Sequence, residues 1–333
     1  MRDIDKALRA LDPAKLTSGE DPVRVHARLD AIVSRPRPTS PGRSHRPRRW
    51  VLVGAAVAAA MATVFVAVDP FDTTTQPAYA VTPQPLHYQH STRSADQVLE
   101  EIARRIEGLP DDRPPAWSSE HFVQESWSLS TRIDGTQVTS AVIPEQRETW
   151  EKPDGSSRWT VRTRRPQFQN SEQRKLWDET GAIGEDPKTW SGSGGLSESS
   201  TGEPSSSPDG MKKWLATGQS SLSPGLTFEV VPERFMDHVF SPAQRAALLR
   251  VLKDTKGVVY AGTVKDRAGR TGEGFSLTSR FGGLPNKTTM VFDSSTGSLL
   301  AYEEELTTDA GALHVEVPAV IGYTTFLTSE RIA

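Results

Sequence analysis

Residues 50–68 read WVLVGAAVAAAMATVFVAV, 19 residues without a single charge. As a helix rising 1.5 Å per residue, the stretch extends roughly 28 Å, close to the ~30 Å hydrocarbon core of a bilayer. The reading predicts one transmembrane helix bounded by Trp50 and Val68. A buried helix of a soluble protein is the competing reading. Against it, the stretch is apolar on every face and meets charge at both ends.

The flanks give the predicted helix a direction. Arg35, Arg37, Arg43, Arg46, Arg48 and Arg49 precede it, and Asp69 and Asp72 follow it. Positive charge beside a span stays on the cytoplasmic side, so residues 1–49 are expected inside and 69–333 outside, with the protein in the cell membrane. Gly54, Ala58 and Ala62 lie four apart on one helix face, a spacing that lets two helices approach closely. The alternative for the same segment is a cleaved signal sequence, because Ala78-Tyr79-Ala80 has the small-x-small form of a cleavage site. The 49 residues ahead of the span are long for a charged leader.

Charge divides along the chain. Residues 1–49 carry 12 Arg and Lys against 6 Asp and Glu, whereas residues 50–333 carry 27 against 36. The basic segment suits anionic membrane lipids, and the acidic remainder gives no reason to expect nucleic acid. The absence of cysteine excludes disulfides, thiolate zinc sites and thiol nucleophiles.

Residues 1–33 hold two short amphipathic patterns, Ile4, Ala7, Leu8 and Leu11 in the first and Val25, Leu29 and Ile32 in the second. About 30 residues are too few for a separate core, so the segment is expected either to be disordered or to fold against a partner, a cytoplasmic regulatory protein. Residues 34–49 are a basic, Pro-rich linker and 69–94 a polar tether. His87 and His90 form an HxxH pair without further ligands nearby, and no metal or cofactor is expected.

Residues 95–333 are predicted to form one extracytoplasmic α+β domain. Ser94 and Gln97 make a capping box ahead of Val98, Ile102, Ile106 and Leu109 at helical spacing. Strands are expected over 120–131, 137–151 and 157–165, with Asp134-Gly135 and Asp154-Gly155 as turns. Val123, Trp127 and Leu129 share one strand face, Trp159 and Val161 share another, and Trp150 lies on the strand between. These six are candidates for an apolar groove, with an ordinary sheet core as the alternative.

Residues 183–210 are dominated by Gly, Ser and Pro and are expected to form a disordered loop. Helices follow near 209–217 and 232–240 and after Ser241, where Pro242 and Gln244 complete a strong start signal. Strands are expected near 256–265, 273–281, 287–293, 298–307 and 312–328. Glu303, Glu304 and Glu305 alternate sides of a strand and read as a solvated face.

Pro77-Ala-Tyr-Ala-Val-Thr-Pro83 and Met290-Val-Phe-Asp-Ser-Ser-Thr-Gly-Ser-Leu-Leu300, with this layout, resemble a family of actinobacterial single-pass membrane proteins of unknown function with an anti-sigma-like N-terminus. The helix-then-sheet order also resembles the periplasmic lipoprotein-carrier fold. That resemblance implies a curved antiparallel half-barrel holding lipid or a peptide beneath helices. The His and Cys pattern of zinc-binding anti-sigma domains is missing.

The resulting expectation is an anchored envelope protein whose outer domain binds a ligand or partner, a lipid or a peptide, and signals inward. The alternatives are a secreted or tethered hydrolase and a ligand-free structural module. No G-x-S-x-G, H-E-x-x-H or S-x-x-K arrangement supports the hydrolase, and no catalytic residue is assigned.

Overall fold

Among the described residues a succession of alternating strands forms one antiparallel sheet of ten strands, in the order β1-β6-β7-β8-β9-β10-β2-β3-β4-β5. The strands are β1 (Tyr88–Gln89), β2 (Ser119–Asp134), β3 (Gln137–Glu151), β4 (Ser156–Thr163), β5 (Thr189–Gly195), β6 (Val259–Lys265), β7 (Thr271–Ser279), β8 (Asn286–Phe292), β9 (Leu299–Leu306) and β10 (Ala319–Ile332). The helices are α1 (Ala95–Glu107), α2 (Ser171–Glu179), α3 (Pro208–Leu215), α4 (Pro224–Asp237) and α5 (Pro242–Lys253). The structure is a computed structural model that describes residues 82–114, 116, 118–134, 137–168, 171–179, 188–195, 202–280, 283–313 and 315–333.

Helices α1 and α5 start in the same way. The Ser94 hydroxyl accepts from the Gln97 amide while the Gln97 side chain accepts from the Ser94 amide, and Ser241 with Gln244 repeats the exchange. Each box satisfies two backbone donors that a helix start otherwise leaves open. The two helices pack on each other. Their contact is laced by a bidentate Arg250–Glu107 pair, both bonds 2.7 Å, and by Lys253 to Glu100 at 3.0 Å.

With α3 and α4 these helices cover one face of the sheet over β6 to β10, here termed the inner face. Leu99, Ile102 and Ile106 of α1 and Leu248, Leu249 and Leu252 of α5 join Phe275, Met290, Phe292, Leu299 and Phe326 from the strands in a single core. The turn between β8 and β9 allows this close approach. Gly297 sits at φ 69°, and a Cβ there would lie 2.3 Å from the Ile106 side chain.

The expected α+β architecture is corrected in its balance and its boundaries. The sheet is the dominant element, and the helices form a partial layer over half of it. Among the described residues no helix is long and apolar enough to cross a membrane. The longest, α4 at 14 residues, would extend only about 21 Å. The single-pass membrane architecture therefore has no support in the described structure. Trp50, Gly54, Ala58, Ala62, Val68 and the flanking Arg43, Arg46, Arg48 and Arg49 lie outside the described residues.

Three local expectations also change. Within the expected tether, Tyr88 and Gln89 pair with β6, and Leu86 and Tyr88 pack on Val264, Val291, Leu300 and Ala301 on the outer face. Within the expected loop at 183–210, residues 189–195 form β5, because their backbone completes a ladder with β4. The Glu303–Glu305 run is not solvated: Glu303 and Glu305 are 4% and 6% exposed. The strand is buried at all but Tyr302 and Glu304, which are half-buried, and each carboxylate has a partner there. Glu303 pairs with Arg267, Glu304 accepts from Asn286 at 3.1 Å, and Glu305 lies 2.6 Å from the Lys287 ammonium.

Leu248 has no exposed surface. Leu248→Ala removes buried methyl groups where α1 and α5 leave little room to collapse, and is expected to destabilise the fold by about 2–5 kcal/mol. Urea unfolding followed by tryptophan fluorescence measures this, and a loss well below that range would mean the helical layer is loosely packed.

Candidate functional site

Strands β2 to β5 extend the sheet beyond the helical layer and form a flank. Among the described residues α2 is the helix with extensive contact with this flank, through β3. The β2–β3 register runs without a bulge from Glu120 opposite Glu151 to Asp134 opposite Gln137, so the face of every residue on the two strands is fixed by alternation.

That register divides the six groove candidates. Val123, Trp127, Leu129 and Trp150 lie on the outer face, and Trp159 and Val161 lie on the inner face. They do not converge on one groove. On the outer face, Trp127 meets Tyr323 edge-on at 4.9 Å, and the Arg267 guanidinium lies 4.7 Å from the Tyr323 ring. Trp127 and Leu129 pack with Val142, Val320 and Tyr323 in a small satellite core. Val123 is half-buried on the strand between this cluster and Trp150. Trp127 therefore serves packing, as in the sheet-core alternative.

Trp150 has a different setting. The His121 ring, opposite it on β2, stacks on it at 5.0 Å and 14° between planes. The Arg158 guanidinium, opposite it on β4, lies 4.3 Å from its centroid. His121 is held in turn by Glu148 at Nε2 (3.1 Å) and Glu330 at Nδ1 (3.3 Å). The result is a transverse row of imidazole, indole and guanidinium across three strands.

On the inner face the flank carries two indoles near the sheet's edge. Trp159 lies across Gly192, where a Cβ would come within 2.4 Å of its ring, so only glycine permits the contact. Arg147 lies 5.9 Å from the Trp159 centroid. Trp190 pairs opposite the buried Val161 and is 43% exposed. Trp177 of α2, by contrast, is buried, with Phe168 at 6.0 Å.

Between flank and helices lies a line of carboxylates. Burial, then repulsion from Glu304 and Glu233, pushes the Glu229 carboxyl of α4 up to about 7. Burial also raises Glu304 on β9, and burial with the Glu229 charge raises Tyr302 beside it. Glu151, at the end of β3, is pushed up to about 7 by burial, then by Asp237 and Glu120, with His238 opposing. Glu120 itself is held by Arg331 at 2.7 Å. Among the described residues no group of three His, Cys, Asp or Glu side chains is arranged to hold a metal ion. His87 and His90 are exposed.

The row and the carboxylates were beyond the reach of single-strand patterns. His121, Trp150 and Arg158 are neighbours only through two strand registers, and Glu229 meets Glu304 only through the placement of α4. No protein-family profile matches the chain, and no curated protein matches it.

Glu229 and Glu151 bind protons more tightly folded than unfolded, where a glutamate titrates near ~4.3. Their stabilisation is thus full below the unfolded value and is lost as pH rises through about 7. The melting temperature is expected to fall as pH rises from ~5 to ~8 through this linkage. Glu229→Gln should flatten that slope in circular-dichroism melts; an unchanged slope would exclude Glu229 as a source.

Proposed function

We propose that this domain is a binding module that takes an extended peptide segment at the free edge of β5 and does not transform it chemically. The observation that carries the reading is the character of that edge. The sheet order ends at β5, which pairs with β4 and with no other strand among the described residues. Its sequence, Thr189-Trp-Ser-Gly-Ser-Gly-Gly195, contains neither the charges nor the proline that usually blunt an edge. An edge of this kind offers backbone donors and acceptors to an incoming strand, which is the mode of recognition by strand addition.

The inner face supplies side-chain selectivity. A strand added beside β5 would set alternate residues next to Trp190 and Trp159, so the reading favours a partner with apolar or aromatic residues at every second position. A lipid ligand is the less favoured reading. The space between helices and sheet, where the carrier-like resemblance would put it, is filled by Phe275, Met290, Phe292 and Phe326 packed on the helices.

The test begins with peptides selected from a random library on the purified protein. Hydrogen exchange with and without a selected peptide is expected to show new protection concentrated in residues 189–195. Trp190→Ala, at an exposed position, should weaken the peptide by about tenfold, as loss of an aromatic anchor does at an interface. Protection elsewhere in the sheet, with an unaffected Trp190→Ala variant, would exclude β5 as the docking edge.

A further inference from the structure

On the opposite face from Trp190, the end of the flank forms an open cleft of about 500 Å³. It is lined by Trp150, Lys152 and Arg158 and by serines from three segments, among them Ser119, Ser156 and Ser193. Among the described residues no acidic side chain lines it. From this cleft we infer a second binding site, for a phosphate or sulfate group carried on a hydroxyl-rich small ligand of the sugar-phosphate class.

The first argument is the state of Arg158. Its guanidinium is held over Trp150, whose ring is stacked on His121, and His121 is fixed by Glu148 and Glu330. Glu330 lies on β10 beyond His121, and Glu148 on β3 is engaged by His121 and Arg162. Among the described residues Arg158 has no carboxylate partner, although neighbouring arginines do: Arg162 pairs with Glu148, and Arg164 pairs with Glu125. Stacking on indole spends the face of a guanidinium and leaves its N–H edge to donate. That planar fork matches two oxygens of a tetrahedral oxyanion. An arginine already locked in place loses little further rotamer freedom when it binds.

The second argument is the remaining lining. Lys152 adds a second cation, also without an ion pair among the described residues. The nearest carboxylate in this turn is Asp154, which accepts from the Ser156 hydroxyl and from the Ser156 amide at 2.8 Å; these bonds, then the Lys152 charge, hold it below the usual range. Three lining hydroxyls are already used: Ser118 donates to the Ile332 carbonyl, Ser157 to the Gly194 carbonyl and Ser156 to the Asp154 carboxylate. Those of Ser119 and Ser193 have no partner among the described residues. Two cations and two uncommitted hydroxyls suit a ligand that joins an oxyanion to hydroxyls. The volume is in the range of small-ligand sites, roughly 300–1,000 Å³.

The experiment is isothermal titration of the protein with glucose 6-phosphate, inorganic phosphate and glucose as separate probes. Saturable binding of glucose 6-phosphate, with phosphate weaker and glucose weakest, is the expected result. Arg158→Gln should weaken glucose 6-phosphate about tenfold or more, the loss of a charge-assisted bidentate contact, and Lys152→Gln by several-fold. Both positions are exposed, and circular dichroism of each variant checks that the sheet is retained. Equal affinity for glucose 6-phosphate and inorganic phosphate would overturn the hydroxyl-rich part of the ligand. No binding of either, or binding untouched by both substitutions, would overturn the site. Selected peptides that still protect residues 189–195 in Arg158→Gln would show that the β5 edge acts independently of this cleft.

Discussion

The ladder between β10 and β2 makes this structure one sheet. Strands β6 to β9 form a meander over which the helices pack, and β2 to β5 form a second meander beyond it. Nothing in chain order makes them neighbours. The last strand lies between them, pairing with β9 on one side and with β2 from Gly322 opposite Ser128 to Ile332 opposite Ser119 on the other. The paired residues are about 200 positions apart, so closing this ladder carries a large loop-closure entropy and is expected late in folding. Once closed, it fixes which face of β2 points inward, and through the unbroken β2–β3 register it fixes the faces of His121, Trp150 and Trp159. Both proposed sites depend on that register, because a slip of one residue would exchange the Trp150 row with the Trp159 face.

The ladder is secured by side chains at both ends. Arg331 near the end of β10 holds Glu120 on β2 and reaches Glu203 ahead of α3 at 3.1 Å. Further along, Tyr323 of β10 meets Trp127 of β2 and lies beneath Arg267, whose charge also holds the buried Glu303 of β9. Removing Arg267 would leave that carboxylate buried without a counter-charge, and such breakage typically costs about 3–5 kcal/mol. The polar groups buried along β9 therefore act as register keys more than as sources of net stability. Glu304 and Glu305 meet Asn286 and Lys287 only when β8 and β9 are aligned as observed, and Glu303 meets Arg267 from the turn between β6 and β7.

Local signals were legible where the physics is local. The Ser94–Gln97 and Ser241–Gln244 boxes name their helix starts because the hydrogen bonds that cap a helix lie within three residues. The hairpin from Met290 to Tyr302 is readable for the same reason, since Asp293 and Gly297 carry the turn chemistry themselves. What depends on partners was not legible. Strand β5 reads as a Gly- and Ser-rich loop because its order comes from β4 and from Trp159 lying on Gly192, neither of which its own composition reveals. The start of α4 was missed because Pro232 interrupts the pattern, although Ser223 and Pro224 form a valid cap ahead of it. Glu303 to Glu305 reads as solvated because charge alone gives no information about a counter-charge arriving from another strand. The groove candidates were correctly paired within strands and could not be combined across them, because a face is relative until the register is known.

The division of labour along the sheet supplies the last step. Where helices cover the inner face, large apolar side chains fill the interface, so that half has its surface committed to stability. The flank is built differently on both faces. Its indoles are held by a cation, by another ring or by a glycine backbone, not by a deep core: Trp150 by His121 and Arg158, and Trp159 by Gly192 and Arg147. Such contacts make aromatic and cationic groups rigid while leaving part of each at the surface, which is a requirement of recognition and of no value to a core. A flank stiffened in this way can present its β5 edge and its outer cleft to different ligands, because alternation places the two sets of side chains on opposite sides of one strand. The helix-covered half then serves as the fixed support against which both presentations are held.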